Sequence, residues 1–319
     1  MTPQAIELKK GKATRDAFGE TLVELGEEDQ DIVVLDADLN NSTRTEYFKD
    51  SFPERFFNVG IAESNLVGMA GGLASAGKKP WIASFACFLL CNAYDQFRLS
   101  IAYPRLNVKC VGSHGGISIG QDGPSQMAIE DIALACALPG FVVMNPADEI
   151  SARCLVRAAY EHEGPVYIRV GRPEVPIVYK GNTAFQIGRA NELHAGNDVT
   201  IITNGLMVAP VLEAAHMLVD EGLSVRVLDM HTVKPLDETG IEKAAQETGA
   251  IVVAEEHLAS GGLGSAVAMV TARRHPVPIN FINLGDTFAE SGKPDDLFEK
   301  YGLTADRIVE AVRDVKDRK

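Results

Sequence analysis

One glutamate stands where a carboxylate is unusual. Glu63 lies in the string NVGIAESNLVGMAGGLASAG (58–77), where a predicted strand runs into a predicted helix, and its neighbours Ile61 and Leu66 are apolar. Carboxylates take part in general acid and base chemistry when a site holds them against a proton donor or acceptor. The ordinary alternative is that an acid in a first helical turn stabilises the positive end of the helix dipole. Glu63 is therefore a candidate catalytic residue whose interpretation depends on the strings around it.

A glycine-rich loop is the second candidate. The string VGSHGGISIGQDGPSQMAIED (111–131) has five glycines within Gly112–Gly123, and a helix is predicted from Ser125 onward. Glycine backbone can approach a ligand closely, and the side chains of His114 and Asp122 can form hydrogen bonds to sugar hydroxyls. The string matches neither the dinucleotide nor the Walker fingerprint. A plain crossover loop is the alternative interpretation.

Aromatic and basic side chains form the remaining candidates. Phe85 and Phe88 lie three residues apart at a strand-to-helix transition, a pattern that core packing also explains. Arg15, Ser42 and Arg172 together offer groups that bind an anion. Each of these three is by itself more typical of a solvated or helix-capping residue. None of the five carries an assignment alone.

The elements that must position these residues alternate along the chain. Apolar runs typical of buried strands occupy 31–36, 55–60, 80–85, 107–112, 141–145, 165–170, 199–205, 224–229, 250–256 and 277–285. Helix-length segments separate them, and Gly77 and Gly222 are expected to end two of the helices. This alternation predicts two consecutive three-layer α/β/α domains with mainly parallel sheets. The predicted division is a first domain 1–172, a linker 173–190 and a second domain 191–319.

Composition narrows the class of protein. The chain of 319 residues is 46% hydrophobic and 23% charged, with a formal net charge of −14. That charge disfavours nucleic acid and anionic membranes as partners, because no global positive field attracts phosphate groups. A cytoplasmic location is expected, since no signal-like string and no apolar run of the roughly 20 residues that span a bilayer is found. The five cysteines are expected to be buried free thiols without metal-type spacing.

Taken together and in order, these strings resemble the transketolase family over essentially the whole chain. KATRDAF, GIAES, SFACF and SHGGISIGQDGPS carry the resemblance in the first half, and VLDMHTVKPLD and DTFAESG carry it in the second. AEEHLASGGLGSAV is equally similar to deoxyxylulose-phosphate synthase and to the beta subunits of 2-oxoacid dehydrogenases. The resemblance implies a thiamine-diphosphate pyrimidine-binding domain followed by a transketolase C-terminal domain.

The resemblance also implies a role for each candidate residue. Glu63 would contact a pyrimidine ring nitrogen of thiamine diphosphate, Phe85 and Phe88 would stack on that ring, and Asp38 would line the site near the cofactor. The expected catalytic residues are Glu63 and His114. The expected substrate-binding set is Arg15, Ser42, His114, Asp122, Gln126 and Arg172. Its two arginines and its serine coincide with the family's sugar-phosphate positions.

Three positions depart from the family pattern. Ala62 stands in place of an arginine, Cys91 in place of an aromatic residue, and Gln126 in place of a histidine near the sugar carbonyl. The implied reaction is transfer of a two-carbon ketol unit from a ketose phosphate to an aldose phosphate, as in the pentose phosphate pathway. The departure at Gln126 weakens the identity of the sugars and leaves the reaction class unchanged.

The resemblance further implies a partner chain. In the family, metal and diphosphate are held by a GDG string followed about 25–30 residues later by asparagine, and this sequence has no such string. We therefore expect no metal ligand in this chain. Mg²⁺ (or Ca²⁺) and the diphosphate are expected on an N-terminal transketolase subunit, in a two-plus-two heterotetramer. The start just before KATRDAF favours a natural split subunit, and a fragment of a longer transketolase is the alternative.

Two other functions stay open. One is the beta subunit of a 2-oxoacid dehydrogenase first component, or a deoxyxylulose-phosphate-synthase-like enzyme. The SHGGISIGQDGPS string and the two arginines at 15 and 172 argue against it. The other is a catalytically silent scaffold or regulatory subunit, which the three departures suggest. The presence of Glu63, His114 and Asp122 argues against silence.

Overall fold

The computed structural model describes residues 8–319, and these form the α/β architecture that the sequence predicts. The strands of the first half are β1 (Lys10–Ala13), β2 (Ile32–Asp36), β3 (Phe56–Asn58), β4 (Lys79–Phe85), β5 (Lys109–Ser113), β6 (Val142–Met144), β7 (Val166–Arg169) and β8 (Glu174–Pro176). Its helices are α1 (Thr14–Glu28), α2 (Asn40–Thr43), α3 (Glu46–Ser51), α4 (Glu63–Ser75), α5 (Tyr94–Gln96), α6 (Asp131–Ala137) and α7 (Glu149–Glu161). Wide π-type turns lie at Phe88–Asn92 and Phe97–Ala102.

The second half repeats the alternation of strands and helices. Its strands are β9 (Asn191–His194), β10 (Val199–Thr203), β11 (Val225–Asp229), β12 (Thr232–Lys234), β13 (Ile251–Ala254) and β14 (Ile279–Ile282). Its helices are α8 (Val208–Asp220), α9 (Glu238–Thr248), α10 (Leu263–Arg274), α11 (Pro294–Tyr301) and α12 (Ala305–Asp317). Every predicted strand run therefore contains an observed strand.

The first sheet positions the candidate site. Its seven strands lie in the order β12–β6–β7–β5–β4–β2–β3, and all pairings are parallel except that of β12 with β6. Alternate residues of β4 enter different cores: Ile82 packs with Leu66 of α4, and Trp81 packs with Phe18 of α1. Helices on both faces explain why its strands are continuous apolar runs. The carboxyl ends of the parallel strands meet at one edge, where open α/β sheets bind ligands.

The second sheet has five strands in the order β14–β13–β10–β11–β9, with β9 antiparallel to β11. One short strand links the halves, because β12 of the second half adds to the first sheet. Within the first half, β8 pairs with β1 in a separate two-stranded ribbon. The boundaries 1–172, 173–190 and 191–319 stay a prediction.

Two predicted helix ends are confirmed and one predicted start is wrong. Gly77 and Gly222 follow α4 and α8 with φ angles of 89° and 78°, in the left-handed region that glycine favours. The helix expected from Ser125 begins instead at Asp131. The backbone before it is used elsewhere, because the carbonyl of Ala128 accepts a 2.7 Å hydrogen bond from the glycine loop.

Composition-based expectations have mixed outcomes. No helix among residues 8–319 has the length and hydropathy that a bilayer crossing needs. The same residues contain no cluster of three or more His, Cys, Asp or Glu able to hold a metal. All five cysteines are free; Cys87 and Cys110 are buried, whereas Cys136 and Cys154 are only half-buried. The expectation of burial is wrong for Cys91, which is exposed because the wide turn Phe88–Asn92 directs Leu89 and Leu90 inward instead.

Candidate active site

Three separate strings meet at the carboxyl edge of the first sheet. β4 ends at Phe85, β5 ends at Ser113 directly before His114, and α4 begins at Glu63. β4 and β5 are paired in register, with Phe85 opposite Ser113. Open α/β sheets bind ligands beyond the carboxyl ends of their parallel strands. The fold therefore gathers Glu63, Phe85 and His114 at one place.

Glu63 is buried with spare hydrogen-bonding capacity. It is the first residue of α4 and only 5% exposed. Its Oε1 accepts a 3.0 Å hydrogen bond from the hydroxyl of Ser84, its one side-chain partner among residues 8–319. A carboxylate can accept several hydrogen bonds, and the N-terminus of α4 favours negative charge. Glu63 is thus held in place at Oε1 and has acceptor capacity left for another group.

Three rings group around Phe85, one pair stacked and the other tilted. The rings of Phe85 and Phe88 lie 5.6 Å apart with 15° between their planes, and the imidazole of His114 lies 4.0 Å from the ring of Phe85. Phe85 is buried, whereas Phe88 is half-buried and begins the wide turn of the chain. Such π-type turns are frequent at functional sites. Core packing alone does not explain a histidine within this stack.

His114 is held as a neutral ring of one tautomer. Arg15 can only donate, so its 3.2 Å contact from Nη1 makes His114 Nε2 the acceptor. The proton therefore lies on Nδ1, which donates to the hydroxyl of Ser113 at 2.8 Å. Burial, followed by the charges of Arg15, Arg172 and Arg44, lowers the pKa of His114 to about 3. The backbone at His114 has φ of 60°, which directs the ring against its partners.

Arg15 carries an unused donor. Its Nη1 also donates to the carbonyl of Ser42 at 2.8 Å, which brings two residues of the predicted anion set together. Its Nε is buried without a hydrogen-bond partner among the described residues. Burial and the positive charge of Arg44 lower the pKa of Arg15. A buried donor without a partner is unfavourable unless a ligand or water completes it.

Arg172 lines a cavity together with Arg15. Its Nη1 donates to the carbonyl of Ile119 at 2.9 Å and lies 3.6 Å from the carboxylate of Asp122. The Asp122 and Arg172 side chains are both 42% exposed. A cavity of about 270 Å³ is lined by Arg15, Ser118, Ile119, Gln121, Arg172, Pro173 and Pro294. Both arginines of the predicted anion set therefore open onto one cavity.

Two predicted residues lie outside these contacts. Asp38 is exposed, has φ of 66°, and accepts a 2.7 Å hydrogen bond from the side chain of Asn58. Gln126 is half-buried, and its carbonyl accepts a 3.2 Å contact from the thiol of Cys87, the residue before Phe88. No hydrogen bond joins either side chain to Glu63 or His114 among residues 8–319.

Sequence reasoning missed three supporting residues. Ser84 binds Glu63, Ser113 fixes the tautomer of His114, and Asn58 binds Asp38. All three lie at or next to the carboxyl ends of parallel strands. Strand ends were therefore the signal that would have found them, once the strands were known to be parallel.

Comparison with protein families decides the assignment. Residues 10–178 match the transketolase pyrimidine-binding domain, and residues 188–308 match the transketolase C-terminal domain. The chain belongs to the transketolase family. The resemblance inferred from its strings is thereby confirmed. Transketolase membership implies dependence on thiamine diphosphate.

Several similar proteins are split transketolases or transketolase subunits of about this length. A solved structure of a split-gene transketolase, described as an inactive beta4 tetramer, is 50% identical with a TM-score of 0.90, covering 96% of this chain and 99% of that chain. A 6-deoxy-6-sulfo-D-fructose transketolase subunit from Clostridium sp. (strain MSTE9) is 42% identical, covering 96% of this chain and 95% of that protein. One of the subunits of an apulose-4-phosphate transketolase from Phocaeicola vulgatus is 39% identical, covering 93% and 95%. The proteins similar to this chain thus include subunits of split transketolases.

Proposed function

We propose that this chain is one subunit of a thiamine-diphosphate-dependent transketolase, in which Glu63 activates the cofactor. The enzyme transfers a two-carbon ketol unit from a ketose phosphate to an aldose phosphate. The observation that carries the proposal is the buried Glu63 carboxylate, bound by Ser84 and next to the strand end that bears the stack of Phe85, Phe88 and His114. A core-packing role would leave no reason for a carboxylate with spare acceptor capacity there.

The residues at this edge fit the cofactor's pyrimidine ring. Glu63 would bind a ring nitrogen with the acceptor capacity that Ser84 leaves unused, and the half-buried ring of Phe88 offers an aromatic face beside it. Asp38 would line the site nearby. When bound, thiamine diphosphate supplies the electron sink for breaking a carbon–carbon bond. The task of Glu63 is to hold a proton at the ring nitrogen and so set the protonation of the cofactor's own amine.

The neighbouring polar residues fit an anionic sugar. The neutral imidazole of His114 presents Nε2 as an acceptor, to which a sugar hydroxyl would donate in place of Arg15. Asp122 would accept from another hydroxyl, and Gln126 lies on the same loop. The unused Nε of Arg15 and the guanidinium of Arg172 would bind the anionic end. The Ser42 carbonyl holds Arg15 in place, and the Ser42 hydroxyl would be a further donor to the anion.

The sugar class is proposed as anionic ketoses and aldoses. Two of the similar subunits are named for a sulfonated fructose and for apulose 4-phosphate, so similar chains act on different anionic sugars by name. Phosphate and sulfonate are both bound by paired arginines. Pentose phosphates, as in the pentose phosphate pathway, are the first substrates to assay, and we propose the cytoplasm as the place of action.

We propose that activity requires a partner. An N-terminal transketolase subunit would hold Mg²⁺ (or Ca²⁺) and the diphosphate, and two copies of each chain would form a heterotetramer. One exposed face of α4 is suited to subunit contact. This open helix face consists of Asn65, Gly68, Met69 and Gly72 of α4 together with Ile61, two residues before the helix. Ile61 is 86% exposed, and a Cβ at either glycine would meet no atom within 4 Å.

The occupant we propose for the open helix face is a second copy of this chain. Glycines on an exposed helix surface cost stability unless another backbone approaches closely there. The similar split-gene chain is described as forming a beta4 tetramer, which requires contacts between identical subunits. The proposal therefore joins two copies of this chain through α4.

Reconstitution tests the function. The chain alone, the partner alone and an equimolar mixture are assayed for ketol transfer with thiamine diphosphate, Mg²⁺ and a panel of phosphorylated and sulfonated ketoses. We expect activity in the mixture and none in either chain alone. An inactive mixture across the panel, with the assembled complex demonstrated by sedimentation, would contradict the proposal and favour a silent scaffold.

A further inference from the structure

A buried carboxylate from the second half of the chain enters the glycine loop of the first half. Glu256 follows β13 and is 5% exposed. Its Oε1 accepts a 2.7 Å hydrogen bond from the backbone N–H of Ser118. At Gly116, where φ is 79°, a Cβ would lie 2.1 Å from the same carboxyl group. Only glycine leaves room for the carboxyl at that position, so the loop backbone and Glu256 are in direct contact.

Arg169, the last residue of β7, binds the backbone of Glu256. Its Nη1 donates to the backbone carbonyl of Glu256 at 2.8 Å, and its Nη2 lies 2.9 Å from the carboxylate of Asp131. Arg169 is only 4% exposed. Burial raises the pKa of Glu256, and the charge of Arg169 opposes that rise. The contact between the two halves therefore includes a buried arginine, Arg169, that binds the backbone of Glu256 and pairs with Asp131.

The segment that Glu256 holds leads directly to the anion cavity. Ser118 is followed by Ile119, whose carbonyl accepts the 2.9 Å hydrogen bond from Arg172. Asp122 lies at the end of the next turn, 3.6 Å from the same guanidinium. We define residues 117–122 as the loop crest. Within it the backbone hydrogen bonds are local, so the bond to Glu256 ties the crest to the second half of the chain.

We propose that Glu256 is a positioning residue for the substrate. It fixes the N–H of Ser118 and thereby the loop crest, so that Arg172 and Asp122 are held in the orientation that receives an anionic sugar. The second half of the chain thus takes part in substrate binding without touching the substrate. The kinetic consequence rests on the proposed transketolase function, whereas the ordering of the loop crest does not.

Two substitutions separate reach from charge. Glu256→Asp keeps the charge beside Arg169 but shortens the side chain by one methylene, which withdraws the acceptor from Ser118. Glu256→Gln loses the charge but keeps an oxygen at the same distance. The matched control is Glu255→Asp, because Glu255 is equally buried and adjacent but accepts from Leu263 and Gly264 of its own half.

Hydrogen exchange of the full chain measures the ordering. We expect the amides of the loop crest to exchange about tenfold faster or more in the Glu256→Asp variant, because a hydrogen bond to a charged group is lost. The Glu256→Gln variant should retain most of that protection, and the Glu255→Asp control should speed exchange at the start of α10 instead. Wild-type protection of the crest in Glu256→Asp would overturn the proposal. So would loss of protection in Glu256→Gln equal to that in Glu256→Asp, because an acceptor kept at the same distance from Ser118 would then not be enough to order the crest.

Kinetics of the chain assembled with its partner measure the consequence. We expect Glu256→Asp to raise KM for a phosphorylated ketose about tenfold with a smaller change in kcat. The Glu256→Gln variant should keep a KM close to that of the wild type. If the wild-type assembly is inactive while the crest loosens as expected, the transketolase function fails and the ordering by Glu256 stands. If the wild-type assembly is active and Glu256→Asp loosens the crest without changing KM, the positioning role is refuted.

Discussion

His114 is buried as a neutral ring, and the free energy of unfolding should therefore fall as the pH falls. Substituting His114 should remove this dependence. In the folded chain its pKa is lowered from 6.5 to about 3, first by burial and then by Arg15 and Arg172. The unfolded imidazole takes up a proton below pH 6.5, whereas the folded one does not until about pH 3. The unfolded state therefore binds more protons across this window, and stability falls as the pH falls through it.

The size of the effect follows from the same shift. At pH 5 the unfolded ring lies about 1.5 pH units below its pKa, which costs the folded chain about 2 kcal/mol relative to pH 8. His114→Asn removes this titration and suits the positive φ at that position, since asparagine adopts left-handed backbone more readily than most residues. Between pH 8 and pH 5 we expect the wild type to lose about 2 kcal/mol more unfolding free energy than the variant.

Urea unfolding at equal protein concentration measures both chains at the two pH values. Comparing each chain with itself at pH 8 cancels whatever the substitution costs at neutral pH. An equal loss in the wild type and the variant would refute the reasoning, because His114 would then titrate alike in the folded and unfolded states. A larger loss in the variant would mean that protonation of His114 stabilises the folded chain, which is the opposite of the expected effect.

Two further predictions concern the anion cavity and the open helix face. Arg172→Ala should raise KM for phosphorylated ketoses at least tenfold in the reconstituted enzyme, because one of the two arginines facing the anion is lost. KM for unphosphorylated ketoses should stay nearly unchanged. Equal changes in KM for both classes of ketose would contradict this prediction. Gly72→Ala should make an isolated protomer more stable by up to about 1 kcal/mol yet weaken its self-association, measured by sedimentation. Gly71→Ala is the matched comparison, because its Cβ would meet the carbonyl of Ser100 at 2.6 Å and destabilise the fold. Unchanged self-association in Gly72→Ala would exclude that face as the contact.

Local sequence signals predicted the parts of the site that lie at strand ends. Phe85 and His114 each follow an apolar run whose length and composition indicate a buried strand, and Glu63 follows a third. Since parallel strands end at the same edge, the meeting of these residues could be expected from the chain alone. The tautomer of His114 could not, because it depends on Arg15, 99 residues away.

Long-range contacts explain the errors. The helix expected from Ser125 is replaced by irregular backbone, since Ala128 binds Gly116 and the loop is held by a carboxylate 138 residues from Ser118. The exposure of Cys91 depends on a wide helical turn that hydrophobic periodicity does not register. Both errors fall where the chain departs from regular helices and strands, next to the proposed site, as functional segments often do.

Glu63 of this chain is proposed to activate a cofactor whose diphosphate is held by the partner subunit. Ketol transfer by the wild-type chain and by Glu63→Gln, each assembled with the partner at equal complex concentration, tests it most directly. We expect the variant to assemble normally and to lose at least a hundredfold in kcat, since the amide cannot supply the proton that a carboxyl shares with the ring. Full activity of a Glu63→Gln complex would contradict the claim.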